Sequence, residues 1–331
     1  MLCGLFGFVY YGKKGFKGAE NLLGELAWEA AVRGTDATGY AFVHKGKVQI
    51  TKEPKSAYEM KYLLPKNVRS VMGHTRATTQ GSAKFNYNNH PFKGKTQKSE
   101  FAFAHNGVLD NEFEIREEYG IKPNHIQTDS YVACQLMEKL GSFSLENLKT
   151  VGETVEGMFT FTYMDDRENL YIIKNDSPLT ILHFPTLQLF VYASTDEIIF
   201  NALIRFKKTK EALMDMIIYK EFTVENIPIK AGDILIITPN GDIIRGEFKP
   251  RERIWNNPLY AIAGGYIEYG SYYDDKEEGE EWYRELLLDE AKEIGVTEEE
   301  FNKLTEIFTL DDIEYYLYTG RIYEIMIDLG I

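Results

Sequence analysis

Cysteine is scarce in this 331-residue chain: Cys3 and Cys134 are the only two. Two thiols make neither a disulfide framework nor a four-cysteine zinc site. No run approaches the roughly 20 apolar residues that a bilayer-spanning helix requires, so an integral membrane protein with spanning helices is not expected. The start, Met1-Leu2-Cys3-Gly4, has no basic stretch followed by an apolar segment and a cleavage site. No secretory signal is read there, and a reducing, cytoplasmic setting is the expectation. A phosphate-cradling loop is also missing, since Gly264-Gly265 lacks the required lysine and following helix. Excess positive charge is absent: 37 Lys+Arg stand against 51 Asp+Glu, for a net charge of −14. That imbalance is local. Residues 251–331 hold 21 acidic and 7 basic side chains, and the first 250 residues hold 30 of each. Such a tail disfavours phosphate backbones, so neither nucleic acid nor a membrane is an expected partner.

What is present is ample material for a packed core, with 44% hydrophobic and 14% aromatic residues. Leu5 to Tyr11 reads as a strand, and Ala19 to Val32 as a helix with Leu22, Leu23, Leu26, Ala27 and Ala30 at helical spacing. A hairpin is predicted for Tyr40 to Val43 and Lys47 to Lys52, around Lys45-Gly46. Val71 to Gly73 and Phe101 to Ala104 read as short strands, each running into a polar loop, Gly73 to Gly81 and His105 to Asn111. Helices are expected over Thr128 to Leu140 and Ser144 to Thr154. Strand signals follow at Met158 to Met164, Leu170 to Lys174, Thr180 to His183, Leu189 to Ala193 and Asp233 to Thr238, the last turning through Pro239-Asn240-Gly241-Asp242 into Ile243-Ile244. Many strands with few helices indicate an α+β fold. Pro250 to Asp275 reads as an aromatic linker and Glu280 to Ile294 as a helix. Thr297 and Glu300 make a capping box opening a further helix, with Phe301, Leu304 and Phe308 on one side. Two domains are expected, 1–248 and a small acidic helical extension, 249–331.

Chemistry gathers around four segments. Cys3, two residues from the start and followed by Gly4, is either a small buried filler or an N-terminal nucleophile whose own α-amine is the base. Gly73-His74-Thr75-Arg76-Ala77-Thr78-Thr79-Gln80-Gly81 offers a guanidinium and hydroxyls suited to a carboxylate. His105-Asn106-Gly107 places an amide beside a glycine N–H, which suits an oxyanion. Gln127-Thr128-Asp129-Ser130 puts a carboxylate at a helix start, as an N-cap or as the counter-ion of an ammonium group. Together they describe a site for an amino acid with a carbonyl side chain, and glutamine fits.

Here the chain resembles the class II glutamine amidotransferases, the N-terminal-nucleophile glutaminase domains of amidophosphoribosyltransferase and glucosamine-6-phosphate synthase. The resemblance rests on Cys3-Gly4-Leu5-Phe6-Gly7, Arg33-Gly34-Thr35-Asp36-Ala37-Thr38-Gly39, Gly73-His74-Thr75-Arg76, Asn89-His90-Pro91-Phe92, His105-Asn106-Gly107 and Thr128-Asp129, with weaker echoes in Glu156-Gly157-Met158-Phe159, Ser177-Pro178-Leu179 and Ala193-Ser194-Thr195-Asp196-Glu197, in family order across nearly all of the first 245 residues. It implies a four-layer αββα sandwich and glutamine hydrolysis through a Cys3 thioester. Asn106 and Gly107 would hold the oxyanion. Arg76, with Thr79, would bind the substrate carboxylate, and Asp129 its α-amine. Arg33 and Asp36 would fix the loop near the nucleophile. Because Cys3 is encoded third, the free-amine mechanism requires loss of Met1 and Leu2, and that loss is expected.

His74, His90 and His105 are expected to serve structural hydrogen bonds, Cys134 is expected to be a buried thiol, and neither metal nor cofactor is expected. The 81 residues after Pro250 are too short for a synthase domain, so a separate ammonia-accepting synthetase is an expected partner. Alternative readings are a stand-alone hydrolase of γ-glutamyl amides and an inactive scaffold with a blocked N-terminus.

Overall fold

In the computed structural model the described residues are 3–13, 15–122, 124–209, 223–251, 284, 287–288, 291–292, 294–308, 310, 313, 316–317 and 322–330. Contacts divide the chain into two compact units, residues 1–254 and 255–331, with the division a few residues beyond the expected 248. The aromatic segment Pro250 to Asp275 lies, but for its first two residues, outside the described residues, as does much of Glu280 to Ile294.

The first unit contains two antiparallel sheets. Strands β1 (Gly4–Tyr10), β2 (Ala37–His44), β3 (Lys47–Glu53), β4 (Ser70–Arg76), β9 (Thr180–Phe184), β10 (Leu189–Ala193) and β11 (Glu225–Asn226) form one, in the order β11-β9-β10-β1-β4-β2-β3. The other contains β5 (Phe92–Lys95), β6 (Glu100–Leu109), β7 (Gly157–Asp165), β8 (Leu170–Lys174), β12 (Asp233–Ile237) and β13 (Ile243–Glu247), in the order β13-β12-β8-β7-β6-β5. Helices are α1 (Ala19–Ala30), α2 (Glu112–Tyr119), α3 (Tyr131–Leu140), α4 (Leu145–Thr154) and α5 (Asp196–Thr209).

Side-chain alternation, with its period of two, sorts each strand between two cores. In β1, Phe6 and Phe8 pack with Leu22, Leu26, Ile199 and Phe206 of α1 and α5. Leu5 and Val9 point the other way and meet Ala102, Ala104, Leu170 and Leu235 of the second sheet. In that sheet Phe101, Phe103, Phe159 and Phe161 turn outward onto Ile115, Val132, Leu136, Leu148 and Val151 of α2, α3 and α4. The result is helix, sheet, sheet, helix: the expected αββα sandwich. Since both faces of the inner strands are covered, these strands read in the sequence as near-continuous apolar runs.

Local chemistry agrees at the turns. Lys45 and Gly46 take φ of 52° and 69°, the pair of left-handed residues a two-residue hairpin between β2 and β3 requires. Ser144 caps α4 by accepting from Asn147 N–H at 3.1 Å. In the second unit the Thr297–Glu300 capping box opens α6 (Glu298–Ile307), and Phe301 and Leu304 are buried with Leu287, Ala291, Ile313 and with Ile322 and Met326 of α7 (Ile322–Leu329). Phe308 packs at the margin of that cluster.

Candidate active site

The site forms where β1 begins and β4 and β6 end. Cys3, half-buried, immediately precedes β1. Glycine is required next to it: a Cβ on Gly4 would stand 2.4 Å from Thr75 Oγ1 and 3.0 Å from Ala30 O. Thr75 Oγ1 occupies that space to donate to Ala30 O at 2.8 Å. Arg33 Nε donates to Cys3 O at 2.9 Å, and the thiol donates to Ala77 O at 3.4 Å. Backbone and sulfur are thus held from both sides.

Burial pushes the Cys3 thiol up to about 11. Arg76 and Arg33 act against that rise, and Asp129 adds to it. Nearby imidazoles are poor proton acceptors, because burial holds His74 and His105 down to about 3 and His90 well below the ordinary range. His74 Nε2 donates to His105 O at 2.9 Å, and His90 Nε2 lies 3.0 Å from Ser130 Oγ. His105 Nε2, by contrast, is buried without a hydrogen-bond partner.

The segment His105 to Leu109 is strand, not loop: β6 continues to Leu109 and pairs Asn106 with Thr160 and Gly107 with Phe159 of β7. Polar composition hides this: Asn106 faces inward between the sheets, where Thr160 and Thr162 are also buried, while His105 turns outward onto Phe161. Gly107 has φ of 142°, and a Cβ there would fall 1.8 Å from Met158 O, so no side chain fits. Asn106 is fully buried; its Nδ2 lies 3.5 Å from Ser194 Oγ, which accepts Leu5 N–H at 2.8 Å. Ser194 thereby connects Asn106 to β1, one residue past Gly4.

Arg76 is likewise the last residue of β4, rather than part of the loop. Its Nη1 donates to Asn89 Oδ1 at 2.7 Å and its Nη2 to Gly81 O at 2.7 Å and to Gln80 O. Three of the five guanidinium N–H groups are therefore engaged in place. Asp36 Oδ2 accepts Thr78 N–H at 2.8 Å and Asp36 N donates to Arg76 O at 3.0 Å, which fixes the start of the loop. Thr79 is exposed on that loop. Asp129 is not the N-cap of α3, a place taken by Ser130. Its buried carboxylate accepts Leu109 N–H at 2.8 Å, and the N–H and hydroxyl of the adjacent Ser130 favour its charged form. These donors oppose the upward pull of burial on Asp129.

The structure thus brings Cys3, Arg33, Arg76 and Asp129 into one electrostatic neighbourhood, with Asn106 and Gly107 on the facing strand, and leaves Thr79 at the margin. It adds Glu112, the first residue of α2, which lies beside Gln80, Arg116 and Asp129. Burial, with the charge of Asp129, lifts its carboxyl to about 7. A glutamate opening a helix is ordinary in sequence, so nothing signalled its burial. A cavity of about 650 Å³ opens elsewhere, lined by Leu179, Ile229, Lys230, Asp233, Arg245 and Glu247 among others, and none of the site residues borders it.

Residues 28–174 match the family described as glutamine amidotransferases class-II, a stretch that holds Arg33, Asp36, Arg76, Thr79, Asn106, Gly107, Glu112 and Asp129, while Cys3 precedes it and Ser194 follows it. The glutamine–fructose-6-phosphate aminotransferase (isomerizing) of Listeria innocua is 32% identical over 188 residues, covering 54% of this chain and 30% of its own length. That of Streptococcus pneumoniae is 37% identical over 118 residues, 33% of this chain and 19% of the relative. The chain therefore spans less than a third of these relatives. Among solved structures, glutamine phosphoribosylpyrophosphate amidotransferase from B. subtilis shares the fold, with a TM-score of 0.56 at 19% identity over 74% of this chain and 49% of that one.

Proposed function

We propose that this chain, which carries a class II glutamine amidotransferase domain, hydrolyses L-glutamine to L-glutamate and ammonia through a thioester on Cys3. The observation that carries the reading is that Arg76 and Asp129, both buried and opposite in charge, act on the same thiol. A zwitterion suits that pair: Arg76, assisted by Thr79, takes the α-carboxylate, and Asp129 takes the α-ammonium. The amide arm then reaches the sulfur.

With the thiol held near 11, thiolate at pH 7 is roughly 10⁻⁴ of the total, so the proton must leave as attack proceeds. His74 and His105, held near 3, are too weak to take it. The α-amine of Cys3 serves instead once Met1 and Leu2 are removed, since a chain-terminal amine titrates near roughly 7.7–8.0. Sulfur bonds to the amide carbon, and the carbonyl electron pair moves to oxygen, where Asn106 Nδ2–H and Gly107 N–H hold it. As that pair returns, the C–N bond breaks, and the nitrogen takes the proton from the terminal ammonium and departs as ammonia. Water, giving its proton to the same amine, then opens the thioester; glutamate leaves and the sulfur regains its proton. Ammonia passes to a separate synthetase, with the acidic residues 249–331 as docking surface.

Labelling with a diazo-ketone glutamine mimic tests the site: adduct on Cys3 is expected, and Cys3→Ala should lose both the adduct and at least about a thousandfold of glutaminase activity. Intact mass of the active protein should begin at Cys3. Active protein that retains Met1 and Leu2 would falsify the amine mechanism. A strong preference for larger γ-glutamyl amides over glutamine would replace ammonia transfer with simple hydrolysis.

A further inference from the structure

Residues 88–90 lie between the two charged ends of the proposed pocket, and consecutive side chains reach opposite ones. Asn89 Oδ1 accepts from Arg76 Nη1 at 2.7 Å, and its Nδ2 is fixed by Ala83 O at 2.8 Å and Asn86 Oδ1 at 3.2 Å. The next residue, His90, places Nε2 3.0 Å from Ser130 Oγ, the hydroxyl of the residue that follows Asp129 and favours its charged form. Asn88 fastens the same stretch to the chain before Asp129: its Oδ1 accepts Gln127 N–H at 2.9 Å, and its carbonyl accepts from Thr128 Oγ1 at 2.8 Å. All three residues are buried. The segment is seated against β2, where a Cβ on Gly39 would come within 2.2 Å of His90 O and 2.8 Å of Pro91 Cδ.

The proton positions follow from the partners. Ser130 has one hydroxyl proton, and the hydroxyl favours the charged form of Asp129 as a donor does, so that proton is directed toward Asp129. His90 Nε2 must therefore carry the hydrogen that Ser130 Oγ accepts. Its Nδ1 is then bare, and Nδ1 is indeed buried without a partner. A neutral His90 fits a site in which burial and the neighbouring His74, His105, Arg76 and Lys52 all disfavour its charged form.

We propose that residues 88–90 are a gauge that sets the separation of Arg76 and Asp129, with His90 and Ser130 as positioning residues for the ammonium acceptor, so that the pocket selects a carbon bearing both a free carboxylate and a free ammonium. This rests on the glutamine-hydrolysis reading above. It makes discrimination against a substrate lacking the ammonium a property of the row His90–Ser130–Asp129, beyond the presence of Asp129 itself.

Glutaramate, which keeps the amide arm and the carboxylate of glutamine and lacks the ammonium, separates the roles. Ser130→Ala should raise KM for glutamine about tenfold with kcat within about threefold, and leave kcat/KM for glutaramate within about twofold. Ser130→Thr, which restores a hydroxyl, should recover most of the loss. His90→Gln, which keeps an N–H donor, should retain discrimination that His90→Phe loses. The same ratio, read as binding of the two compounds to Cys3→Ala protein by calorimetry, keeps the test independent of turnover. Equal losses for both compounds, a change in kcat alone, or no change in the ratio overturns the gauge. Should Ser130→Ala not fold, the His90→Gln and His90→Phe pair decides by the same ratio. A wild-type protein that binds glutamine over glutaramate and does not hydrolyse it overturns the reaction and leaves the gauge standing.

Discussion

The two ends of strand β1 carry very different polar clusters. At the far end, beyond Tyr10, Tyr11 Oη lies 2.9 Å from His183 Nε2, and His183 Nδ1 lies 2.8 Å from Glu225 Oε2. Carboxylate, imidazole and hydroxyl stand in a row, the residue types of a proton relay. Yet burial and then the charge of Glu225 push the Tyr11 hydroxyl up, and His183 is stacked on Phe190 at 4.0 Å. At the near end the histidines are neutral and mostly spent on backbone and hydroxyl groups. There a thiol is acted on by a buried cation and a buried anion together. An imidazole between an acid and a hydroxyl is weaker evidence of catalysis than several fixed charges converging on one nucleophilic atom.

Three substitutions can break that contrast. The largest effect is expected for Asn106→Ala at the near end: kcat for glutamine should fall by about 10²–10³, with KM within about threefold, as for loss of one oxyanion donor. Steady-state kinetics check this, and a fall smaller than about tenfold would remove Asn106 from the transition state.

Glu112 gives the next. Its carboxyl is raised to about 7 from an ordinary 4.5, so the fold favours the neutral acid. That contribution is complete below about pH 4.5 and is lost as pH rises through about 7. Glu112→Gln, which stays neutral, should match the wild type in thermal unfolding at pH 5 and exceed it at pH 8 by about 1–3 kcal/mol. Equal stability at both values of pH would show that the carboxylate is better solvated than its surroundings indicate.

The smallest effect is expected at the far end. Tyr11→Phe should change stability by less than about 1.5 kcal/mol, the net worth of one hydrogen bond, and leave glutamine turnover within about twofold. A tenfold loss would make the two ends of β1 parts of one machine.

Much of the fold was legible in the sequence because its inner strands are coated on both faces, which makes runs such as Leu5 to Tyr11 and Leu189 to Ala193 hard to mistake. The capping box at Thr297 and Glu300 is likewise legible and forms. Helices α2 and α5 were not read. In α2 only Ile115 is buried, so Glu112–Tyr119 has almost no apolar face. In α5, Ile198, Ile199, Ala202 and Phe206 do recur on one face, but the helix follows the strand run closely and lacks a glycine stop. The residue types of the site were legible as motifs, while their setting was not: Arg76 and Asn106 lie at strand positions whose polar neighbours imitate a loop. Glu112 required coordinates, since only the approach of Gln80 and Asp129 distinguishes it from any acid opening a helix.

The sorting of β1 between two cores has a further consequence. Sliding that strand by one position would drive Phe6 and Phe8 into the space between the sheets and turn Leu5 and Val9 toward the helices, spoiling both layers in a single step. The sulfur at its tip is therefore indexed like a tooth on a rack. Aromatic bulk several residues downstream dictates where that sulfur stops, and a conservative-looking change at Phe8 would be felt at Cys3.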